Sequence, residues 1–448
     1  MALKTLFPAE LYNPAPVPSW WEASAPPDQS GYGPFKGEEQ VEVAVIGGGF
    51  AGLSTAYHLA RDHSIEARVL EAGHIGWGAS GRNGGFCCLA PDKLGIEGLI
   101  QRFGLEETQR YYASQTDAID LVDRLGREEG IDYDRQGEGF FEVAHAAKLW
   151  PELVDAQEAY GKYFGIESQL YSAEEFGEIG HRGTEQFGAL QVKVGFGLHP
   201  LKFLAGLAAA AAQRGARLHG HSLVTSWQKE GDWHRLTTER GSLKARRVVL
   251  ATNGFLREGL KREFDGRVLP VLSNIVVTRP LTLEEQAAEN FVTETPLTNL
   301  RNLLFYYRLL PDRRILFGAR GDSSGSKEAS EAMRIWLIRR LGEVFPSYRE
   351  VEITHFWRGL VSLTRDLTPA IGRLPEDETV FFAFGCHGNG VNTMPWAGRQ
   401  IAQLIRGANR DEDILPAVVR GPAPKFPLPG LRKLYLRLAY AYYTWKDR

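Results

Sequence analysis

The chain has 448 residues, of which 43% are hydrophobic and 24% are charged, and its formal net charge is -3. This length is sufficient for two domains, and the near-neutral charge gives no reason to expect nucleic acid as a partner. The 3 cysteines do not make a disulfide framework, which indicates a reducing compartment. We find neither a signal-peptide pattern nor a run long enough for a membrane helix, so we expect a cytoplasmic protein.

The first strongly patterned element is a strand that ends in glycines. VEVAVIGGG is typical of a buried parallel strand, and GLSTAYHLARDH after it has helical spacing. Gly47, Gly49 and Gly52 therefore form a G-x-G-x-x-G turn. The first glycine makes the turn, the second lets the backbone approach a pyrophosphate, and the third lets the helix pack on the strand. The helix N-terminus around Phe50 and Ala51 supplies N–H donors to the phosphates.

A second strand ends at Glu71, followed by Ala72, where an acidic side chain would accept both ribose hydroxyls of a dinucleotide. This acid would repel the 2′-phosphate of NADP, so FAD and NAD are left. The chain then enters a loop of small residues, GHIGWGASGRNGGF, instead of another βαβ unit. The loop favours FAD because its backbone can lie along a long cofactor. Its candidate ligands are Ser80, Arg82, Asn83, Gly84 and Gly85.

Five stretches together resemble the D-amino-acid-oxidase-type flavoproteins, which include glycine oxidase, sarcosine oxidase and γ-glutamylputrescine oxidase. They are GGGFAGLSTAYHLA, LEAGHIGWGASGRNGG, GLHPLKFLAGLAAAAAQRGA, VVLATNGF and GCHGNGVNTMPWAGRQIA. The resemblance covers about residues 40–410. It implies an FAD enzyme that removes a hydride from the carbon next to an amine nitrogen. The product is an imine, which water hydrolyses, and oxygen as acceptor would give hydrogen peroxide.

The resemblance also implies roles for three later stretches. Val224 would contact the adenine. Thr252, Asn253 and Gly254 would form a turn beside the phosphates, although a simple turn former explains Asn253 equally well. The last glycine loop would face the flavin ring, and the helix after it would stabilise negative charge on the reduced ring. The candidates in that stretch are Gly385, His387, Gly388, Asn389, Gly390 and Val391.

Candidate substrate ligands lie on strands expected over the ring. The stretch NLLFYYRLLPDRRILFGAR predicts a hairpin that turns at Pro311–Asp312. In LFYYRLL, alternation places Tyr306 and Arg308 on one face. Arg308 would pair with a substrate carboxylate or form an ordinary ion pair. Tyr306 would wall the pocket, bind the amine or pack in the core. Ser273 and Asn274 interrupt an apolar strand, which indicates a polar pocket or an edge strand. His387 would touch the flavin or the substrate, or be structural.

These elements predict an α/β protein, α+β overall, with a Rossmann-like FAD-binding domain built from discontinuous segments and a second domain on an antiparallel sheet. We expect residues 1–39 to be an extended arm. The predicted FAD-binding domain comprises 40–95, 185–270 and 350–410, and the substrate-binding domain comprises 96–184 and 271–349. Residues 411–448 form a C-terminal extension. Its basic, aromatic helix packs on the body, contacts a partner subunit or touches a membrane surface.

The way in which the flavin is attached to the protein can also be predicted. Relatives that bind flavin covalently use a histidine in the first loop, where this chain has Arg82, or a cysteine before the last loop, in a stretch that here has none. We therefore predict non-covalent FAD and no metal ion. Cys386 is a buried packing residue or has a role at the flavin.

An amine or amino acid would supply the electrons and oxygen would accept them. Two alternatives stay open. One is a dehydrogenase of the same fold that passes electrons to a quinone or a protein. The other is a flavin-binding protein without turnover, with its pocket filled by Tyr306, Tyr307 or the arm.

Overall fold

The computed structural model describes residues 3–26, 31–89, 93–407 and 410–447. Parts of the predicted arm (1–2 and 27–30), of the predicted FAD-binding segments (90–92 and 408–409) and of the extension (448) lie outside the described residues. The α-helices of the described part are α1 (Trp20–Ser24), α2 (Phe50–His63), α3 (Gly95–Phe103), α4 (Leu105–Glu128), α5 (Trp150–Ala159), α6 (Ala173–Ile179), α7 (Pro200–Gln213), α8 (Leu283–Ala288), α9 (Lys327–Val344), α10 (Gly390–Arg406), α11 (Asp411–Ile414) and α12 (Arg432–Lys446).

The strands of the described part are β1 (Gly37–Ile46), β2 (Ala67–Leu70), β3 (Phe86–Cys88), β4 (Phe140–Val143), β5 (Ser168–Tyr171), β6 (Ala189–Val192), β7 (Gly195–Gly197), β8 (Arg217–His219), β9 (Ser226–Glu230), β10 (Trp233–Thr237), β11 (Gly241–Leu250), β12 (Val268–Thr278), β13 (Leu297–Asn299), β14 (Phe305–Leu309), β15 (Ile315–Arg320), β16 (Ile353–Thr364), β17 (Ala370–Leu374) and β18 (Asp377–Phe384).

The first large sheet is mainly parallel and carries the glycine turn. Its strand order is β17-β18-β11-β1-β2-β8, with β17 antiparallel to β18 and the β9–β10 hairpin attached to β11. Val43 and Val45 pack against α2, α7 and α10 on one face, while Ala44 and Ile46 pack with the β9–β10 hairpin on the other. Burial on both faces explains the uninterrupted apolar run in β1. The Rossmann-like part of the predicted fold is confirmed.

The second large sheet is antiparallel except for one parallel pair. Its order is β16-β12-β15-β14-β13-β4-β6-β5, and the parallel pair is β13 with β4. The strands β14 and β15 form the predicted hairpin, in which Tyr306 pairs with Gly318. Phe305 and Tyr307 pack under α9, whereas Tyr306 belongs to the cluster on the other side. The sheet therefore turns the Tyr306 face toward the first sheet.

Two strands, β6 and β16, belong to a different sheet from the one that the predicted domain limits imply. The predicted FAD-binding segment 350–410 contains β16, which pairs with β12 along its length in the second sheet. The predicted segment 185–270 contains β6, which pairs with β4 and β5 in that sheet. The limits at 185 and 350 therefore misplace these strands, because an apolar strand pattern does not specify which sheet the strand joins. The remaining limits stay a prediction.

The other connections are short. The strands β3 and β7 form a two-stranded antiparallel sheet, which links the small-residue loop to the start of α7. The helix α7 begins at Pro200, which suits a first turn, and the His199 side chain accepts a hydrogen bond from the backbone N–H of Lys202. In the described ranges, no helix combines the length and the apolar character that crossing a membrane requires.

Candidate active site

A first cleft opens where the parallel strands β1, β2 and β11 end. This edge is where open α/β sheets bind ligands. The cleft measures about 930 Å³ with its open mouth. Of the residues predicted to bind the cofactor, it is lined by Gly47, Gly49, Phe50, Ala51, Glu71, Ala72, Ser80, Val224, Thr252 and Asn253. Sequence reasoning missed Tyr12, Trp77, Phe255, Arg257, Leu260 and Met394, which also line it.

The glycine turn leaves no room for side chains beside this cleft. Gly47 has a φ of +112°, and a Cβ atom there would lie 2.7 Å from the carbonyl oxygen of Ala251. A Cβ atom on Gly49 would lie 2.8 Å from Ser80 Oγ, inside the cleft. Gly52 does not line the cleft; its Cβ would lie 2.0 Å from the carbonyl oxygen of Gly47, so α2 can approach the turn only with glycine there.

Glu71 is buried at the end of β2 with part of its acceptor capacity free. Its carboxylate accepts hydrogen bonds from the backbone N–H groups of Gly48 (2.7 Å) and Gly73 (3.0 Å). Burial raises the pKa of Glu71, and these two hydrogen bonds act against that rise. A carboxylate has about four acceptor sites, so further donors from a ligand in the cleft can be accommodated.

The small-residue loop uses most of its polar groups to hold its own shape. Ser80 Oγ accepts a hydrogen bond from the backbone N–H of Phe50 at 3.0 Å. The side chain of Asn83 donates to the carbonyl oxygens of Ala79 and Ser80 and accepts from the N–H of Gly85. The predicted donor role of Asn83 toward a ligand therefore has little support, since both ends of its amide are engaged within the loop.

Arg82 differs from its neighbours in the loop because part of it is unpaired. Its Nε donates to the carbonyl oxygen of Trp77 at 2.6 Å, and its guanidinium lies over the Trp77 ring. Its Nη2 is buried and has no hydrogen-bond partner among the described residues. Burial lowers the pKa of Arg82 to about 10. The loop thus presents a buried cation with one free donor.

A second cavity lies between the two large sheets and continues from the first cleft, because Ala79 lines both. It measures about 1210 Å³ with its open mouth. Its lining includes these predicted site residues: Arg82, Asn83, Gly84, Ser273, Tyr306, His387, Gly388, Asn389 and Val391. It also includes residues that sequence reasoning missed, among them Phe86, Lys93, Tyr111, Thr298, Leu304 and Arg320.

Three polar side chains from the second sheet meet in this cavity. Ser273 Oγ and Tyr306 Oη are 2.7 Å apart and share a hydrogen bond. Burial raises the pKa of Tyr306 to about 12, so its hydroxyl stays protonated. Arg320 stands opposite Ser273 in the β12–β15 ladder, and its Nη2 donates to the carbonyl oxygen of His387 at 2.8 Å. Among the described residues, the charged groups that act on the pKa of Arg320 are Tyr440, Tyr306 and Cys386, and none of them is a carboxylate.

His387 reaches the cavity from the loop between β18 and α10. Its φ of +53° is in the left-handed region, which is unusual for a residue other than glycine. Its Nε2 lies 3.2 Å from Thr364 Oγ1, while its buried Nδ1 has no hydrogen-bond partner in the part of the chain that the structure describes. Burial and the nearby Arg320 lower the pKa of His387 to about 3, so the imidazole is neutral.

Two predicted substrate ligands do not face the cavity. The guanidinium of Arg308 is buried among the carbonyl oxygens of Gly85 (2.8 Å) and Leu198 (2.9 Å) and the side chain of Gln136 (2.6 Å). Arg308 shares a strand face with Tyr306 but lies toward the other end of β14, where it donates a hydrogen bond to the small-residue loop. Asn274 points to the opposite face from Ser273, and its amide donates to the carbonyl oxygen of Gly321.

The remaining predicted cofactor residues frame the cavities without lining them. They are Gly52, Gly85, Gly254, Gly385 and Gly390. Asn253 connects two of the predicted stretches: its Oδ1 accepts a hydrogen bond from the N–H of Gly385 at 3.0 Å, and its Nδ2 donates to Cys386 Sγ at 3.3 Å. This contact holds the turn after β11 against the last glycine loop.

A signal for Arg320 was present in the sequence. Tyr306 pairs with Gly318 across the hairpin, and Arg320 lies two residues further along β15. It therefore lies on the same face as Tyr306 by strand alternation. Counted outward from a three-residue turn, 311–313, the hairpin register identifies this arginine, whereas a two-residue turn at Pro311–Asp312 would place it on the opposite face. No comparable signal marks Tyr12 or Arg257, which come to the first cleft from distant parts of the chain.

Comparisons with known proteins identify the family. Residues 42–404 match the family model described as FAD dependent oxidoreductase. The chain belongs to the FAD-dependent oxidoreductase family. It is 30% identical over 437 residues to the gamma-glutamylputrescine oxidoreductase of Escherichia coli, covering 96% of this chain and 98% of that protein. It is 29% identical over 422 residues to a probable oxidoreductase of Haemophilus influenzae, covering 92% of this chain and 93% of that protein.

A solved structure shows the same fold. Glycine oxidase from Geobacillus kaustophilus superposes with a TM-score of 0.68 at 22% identity, covering 84% of this chain and 98% of that one. The predicted resemblance, the fold class and FAD as cofactor of this oxidoreductase are thereby confirmed.

The two cavities of this oxidoreductase fit FAD on structural grounds. The first is long and bordered by glycine backbone, as a pyrophosphate requires. Two buried donors that lack partners face the connected space: Thr252 Oγ1 in the first cleft and Arg82 Nη2 in the second cavity. Glu71 retains free acceptor sites for ribose hydroxyls. These unsatisfied groups are what a bound dinucleotide would satisfy, because buried polar groups left unpaired are costly.

Proposed function

We propose that this oxidoreductase oxidises the C–N bond of a small amine or amino acid that carries a carboxylate. The product is an imine, which water hydrolyses to a carbonyl compound and an amine or ammonia. Oxygen takes up the two electrons and two protons and becomes hydrogen peroxide. The observation that carries the proposal is Arg320, a partly buried cation that lines the second cavity and has no acidic partner among its described neighbours.

Arg320 supports a carboxylate-bearing substrate on energetic grounds. Burial lowers the pKa of Arg320, which means that the charged guanidinium is held at a cost in the absence of an anion. A carboxylate would offset that cost and can take a bidentate pair with the guanidinium. The name of the Escherichia coli relative contains the compound gamma-glutamylputrescine, which has both a carboxylate and a primary amine.

The other cavity residues suit a neutral amine. An amine must be unprotonated before the neighbouring carbon can lose a hydride. The cation of Arg320 disfavours a second positive charge nearby, and the neutral His387 requires no counter-ion. The Ser273–Tyr306 hydroxyl pair offers a donor and an acceptor that can orient the amine. No residue of the cavity is therefore proposed as the base, and the substrate amine loses its proton to solvent.

FAD supplies the hydride acceptor when it is bound. We propose that Gly49, Thr252 and Arg82 hold its phosphates, that Glu71 holds the ribose and that Val224 contacts the adenine. We propose that the attachment is non-covalent. Burial raises the pKa of the Cys386 thiol, and a covalent bond to sulfur needs the thiolate.

A flavin-binding protein without turnover fits the cavity poorly. Its pocket would be filled by aromatic side chains, but Tyr307 lies in the core under α9, where its hydroxyl meets His181 Nε2 at 3.0 Å. The described part of the arm lies elsewhere: Trp21 donates to the carbonyl oxygen of Asn83 from outside, and Tyr12 lines the first cleft. A second cavity that is open and carries the polar groups of Ser273, Tyr306 and Arg320 favours catalysis.

The experiment that tests this function is an anaerobic titration of the yellow holoenzyme with amines and amino acids, followed by admission of air. Bleaching of the visible flavin band by a carboxylate-bearing amine is the expected result. Rapid recovery of colour with formation of peroxide supports oxygen as acceptor, and slow recovery favours a quinone or protein acceptor. Reduction by dithionite alone, with no bleaching by any amine, would contradict the proposal.

Replacing Arg320 separates recognition of the carboxylate from the chemistry of the amine. For Arg320→Gln we expect kcat/KM for a carboxylate-bearing amine to fall about 100-fold, equivalent to about 3 kcal/mol, because the buried ion pair is lost. The matching amine without the carboxylate should change less than about fivefold. Arg339→Gln, an exposed replacement on α9, is the control variant. Equal losses for both substrates would argue that Arg320 is structural.

A further inference from the structure

The outward face of α12 is an exposed apolar stripe. Leu434, Leu438, Tyr442 and Trp445 are 47%, 61%, 55% and 70% exposed, and their spacing of three and four residues places them on one side of the helix. Leu428, just before the helix, is 70% exposed and lengthens the apolar surface. Monomeric proteins rarely leave large apolar side chains clustered in water without a partner.

The inward face of α12 fixes this stripe in place. Leu436 is buried in a cluster with residues of the arm, β12 and β16. Arg432 forms an ion pair with Glu258 and donates to the carbonyl oxygen of Val268. Asp447 accepts hydrogen bonds from the backbone N–H groups of Asn302 and Leu303 at 2.9 Å. The helix is therefore anchored at both ends, and the stripe is displayed rather than left on a loose tail.

The charged residues of α12 itself all have one sign. From residue 414 to residue 446 the sequence contains no aspartate or glutamate. Lys433, Arg437 and Lys446 lie on α12 and belong to no salt bridge between described residues, whereas Arg432 is paired inward. Leucine, tryptophan and tyrosine on one face with lysine and arginine beside them form the pattern of a helix that lies in a membrane interface.

We infer that this face of α12 docks on the surface of an anionic lipid bilayer. Such a surface is complementary in charge to Arg437 and Lys446, and its interface accommodates the rings of Tyr442 and Trp445. A second copy of the chain is a poorer occupant. In a two-fold contact the stripe meets itself, so these cations would face each other with no acid on the helix to pair with them.

Docking in this orientation would bring the substrate cavity near the lipid surface. Asp447 at the end of α12 holds residues 302–303, and the next residue, Leu304, lines the cavity. Burial raises the pKa of Tyr440, on the inward side of α12, and Arg320 is among the charged groups that act on it. The docking face is separate from the cavity lining, so the inference stands independently of the substrate proposal.

The test is co-sedimentation of the holoenzyme with vesicles of mixed phosphatidylglycerol and phosphatidylcholine, compared with vesicles of phosphatidylcholine alone. We expect binding to the anionic vesicles at low salt and weaker binding at high salt. Leu438→Glu and Trp445→Glu should each weaken it at least about tenfold, because each removes apolar area from the bilayer and adds repulsion. Arg437→Gln should weaken it less.

The matched control is Leu283→Glu, which places the same charge on an equally exposed leucine of α8, 71% exposed, away from the stripe. Unchanged FAD content and turnover of a soluble substrate establish that each variant is folded. Failure of the holoenzyme to sediment with anionic vesicles at low salt would overturn the inference. So would an equal loss with Leu283→Glu, or a dimer in sedimentation velocity that Leu438→Glu dissociates without any vesicle binding.

Discussion

His387 and Tyr306 are two titratable cavity residues whose pKa values are displaced away from neutral pH. Burial, with the help of Arg320, lowers the pKa of His387 to about 3, and burial raises the pKa of Tyr306 to about 12. Between these values neither residue changes charge. A histidine beside a reacting amine is easily taken for a general base, but a base must have a pKa near the working pH to be effective.

The pH dependence of kcat/KM should therefore follow the substrate. We expect the acid limb to report the pKa of the substrate amine and to move when an amine of different basicity is used. His387→Asn should leave this limb in place, since asparagine tolerates the left-handed backbone at this position. The expectation would be contradicted by a pH profile of kcat/KM with an acid limb near neutral pH that disappears in His387→Asn, because His387 would then titrate during turnover.

Gly49 is the residue at which a small change should remove the cofactor. In Gly49→Val the new side chain would occupy cleft space beside Ser80 Oγ, where backbone must approach the pyrophosphate. We expect FAD affinity to fall at least about 100-fold, equivalent to about 3 kcal/mol, measured by flavin content and by titration of the apoprotein. Glu71→Arg should lose FAD as well.

Gly161→Ala is the control for Gly49→Val, because a Cβ atom there meets no atom within 4 Å. Normal flavin content in both Gly49→Val and Glu71→Arg would contradict the assignment of the first cleft.

The strand β14 shows how one element serves two purposes along a single face. Near its start Tyr306 enters the cavity, and two residues later Arg308 enters a buried site formed by the small-residue loop and the segment before α7. Burial lowers the pKa of Arg308 to about 10, yet its hydrogen bonds are to carbonyl oxygens and an amide rather than to an acid. The strand thus connects the second sheet to the loop that borders both cavities.

Loss of Arg308 should therefore loosen the loop without altering substrate choice. For Arg308→Met we expect the free energy of unfolding to fall by about 3 kcal/mol, because the carbonyl oxygens of Gly85 and Leu198 and the side chain of Gln136 lose the hydrogen bonds that the guanidinium donates. FAD should bind more weakly, as the loop lines the cofactor cavities. The ratio of kcat/KM for amines with and without a carboxylate should stay constant, in contrast to Arg320→Gln.

Denaturant unfolding and the two-substrate comparison together check this prediction. Arg339→Met, which removes an exposed side chain from α9, supplies the baseline. A changed substrate ratio with unchanged stability would restore Arg308 as a substrate ligand.

Across the molecule, buried neutral histidines couple folding to pH. Burial lowers the pKa values of His58, His181, His199 and His387 to about 3, from an ordinary value of 6.5. Between these pH values the unfolded chain binds more protons than the folded one. The contribution to stability is complete above about pH 6.5 and is lost as the pH falls toward 3.

We expect the free energy of unfolding to decrease steadily as the pH is lowered from about 7 to about 5. His181 is the best probe because it is buried far from the cavities, between Tyr307 and the N–H of Gly183. In His181→Gln the slope against pH should be shallower by up to about 1.4 kcal/mol per pH unit, measured by denaturant unfolding. His221→Asn, at an exposed position, should leave the slope unchanged. An unchanged slope in His181→Gln would contradict the expectation.

Local features of the chain were enough to predict much of this architecture. The order of strand, glycine turn, helix, strand and acid up to Glu71 placed the dinucleotide cleft, because these residues act on one another over short chain distances. Strand alternation correctly separated Tyr306 from Tyr307, and the turn at Pro311–Asp312 correctly predicted the hairpin. In each case the backbone period or the turn chemistry fixes the outcome before the chain packs.

Only tertiary packing decided where along those elements the cavity lies. Tyr306 and Arg308 share a face, yet the sheets approach each other so that Arg320, not Arg308, enters the second cavity. The strand β16 joins the second sheet rather than the first, and α12 buries Leu436 while it exposes Leu438. These outcomes depend on contacts between segments that are distant in the chain. Periodicity determines which side of an element is apolar, but the partner that covers that side is set by the packing of the whole chain.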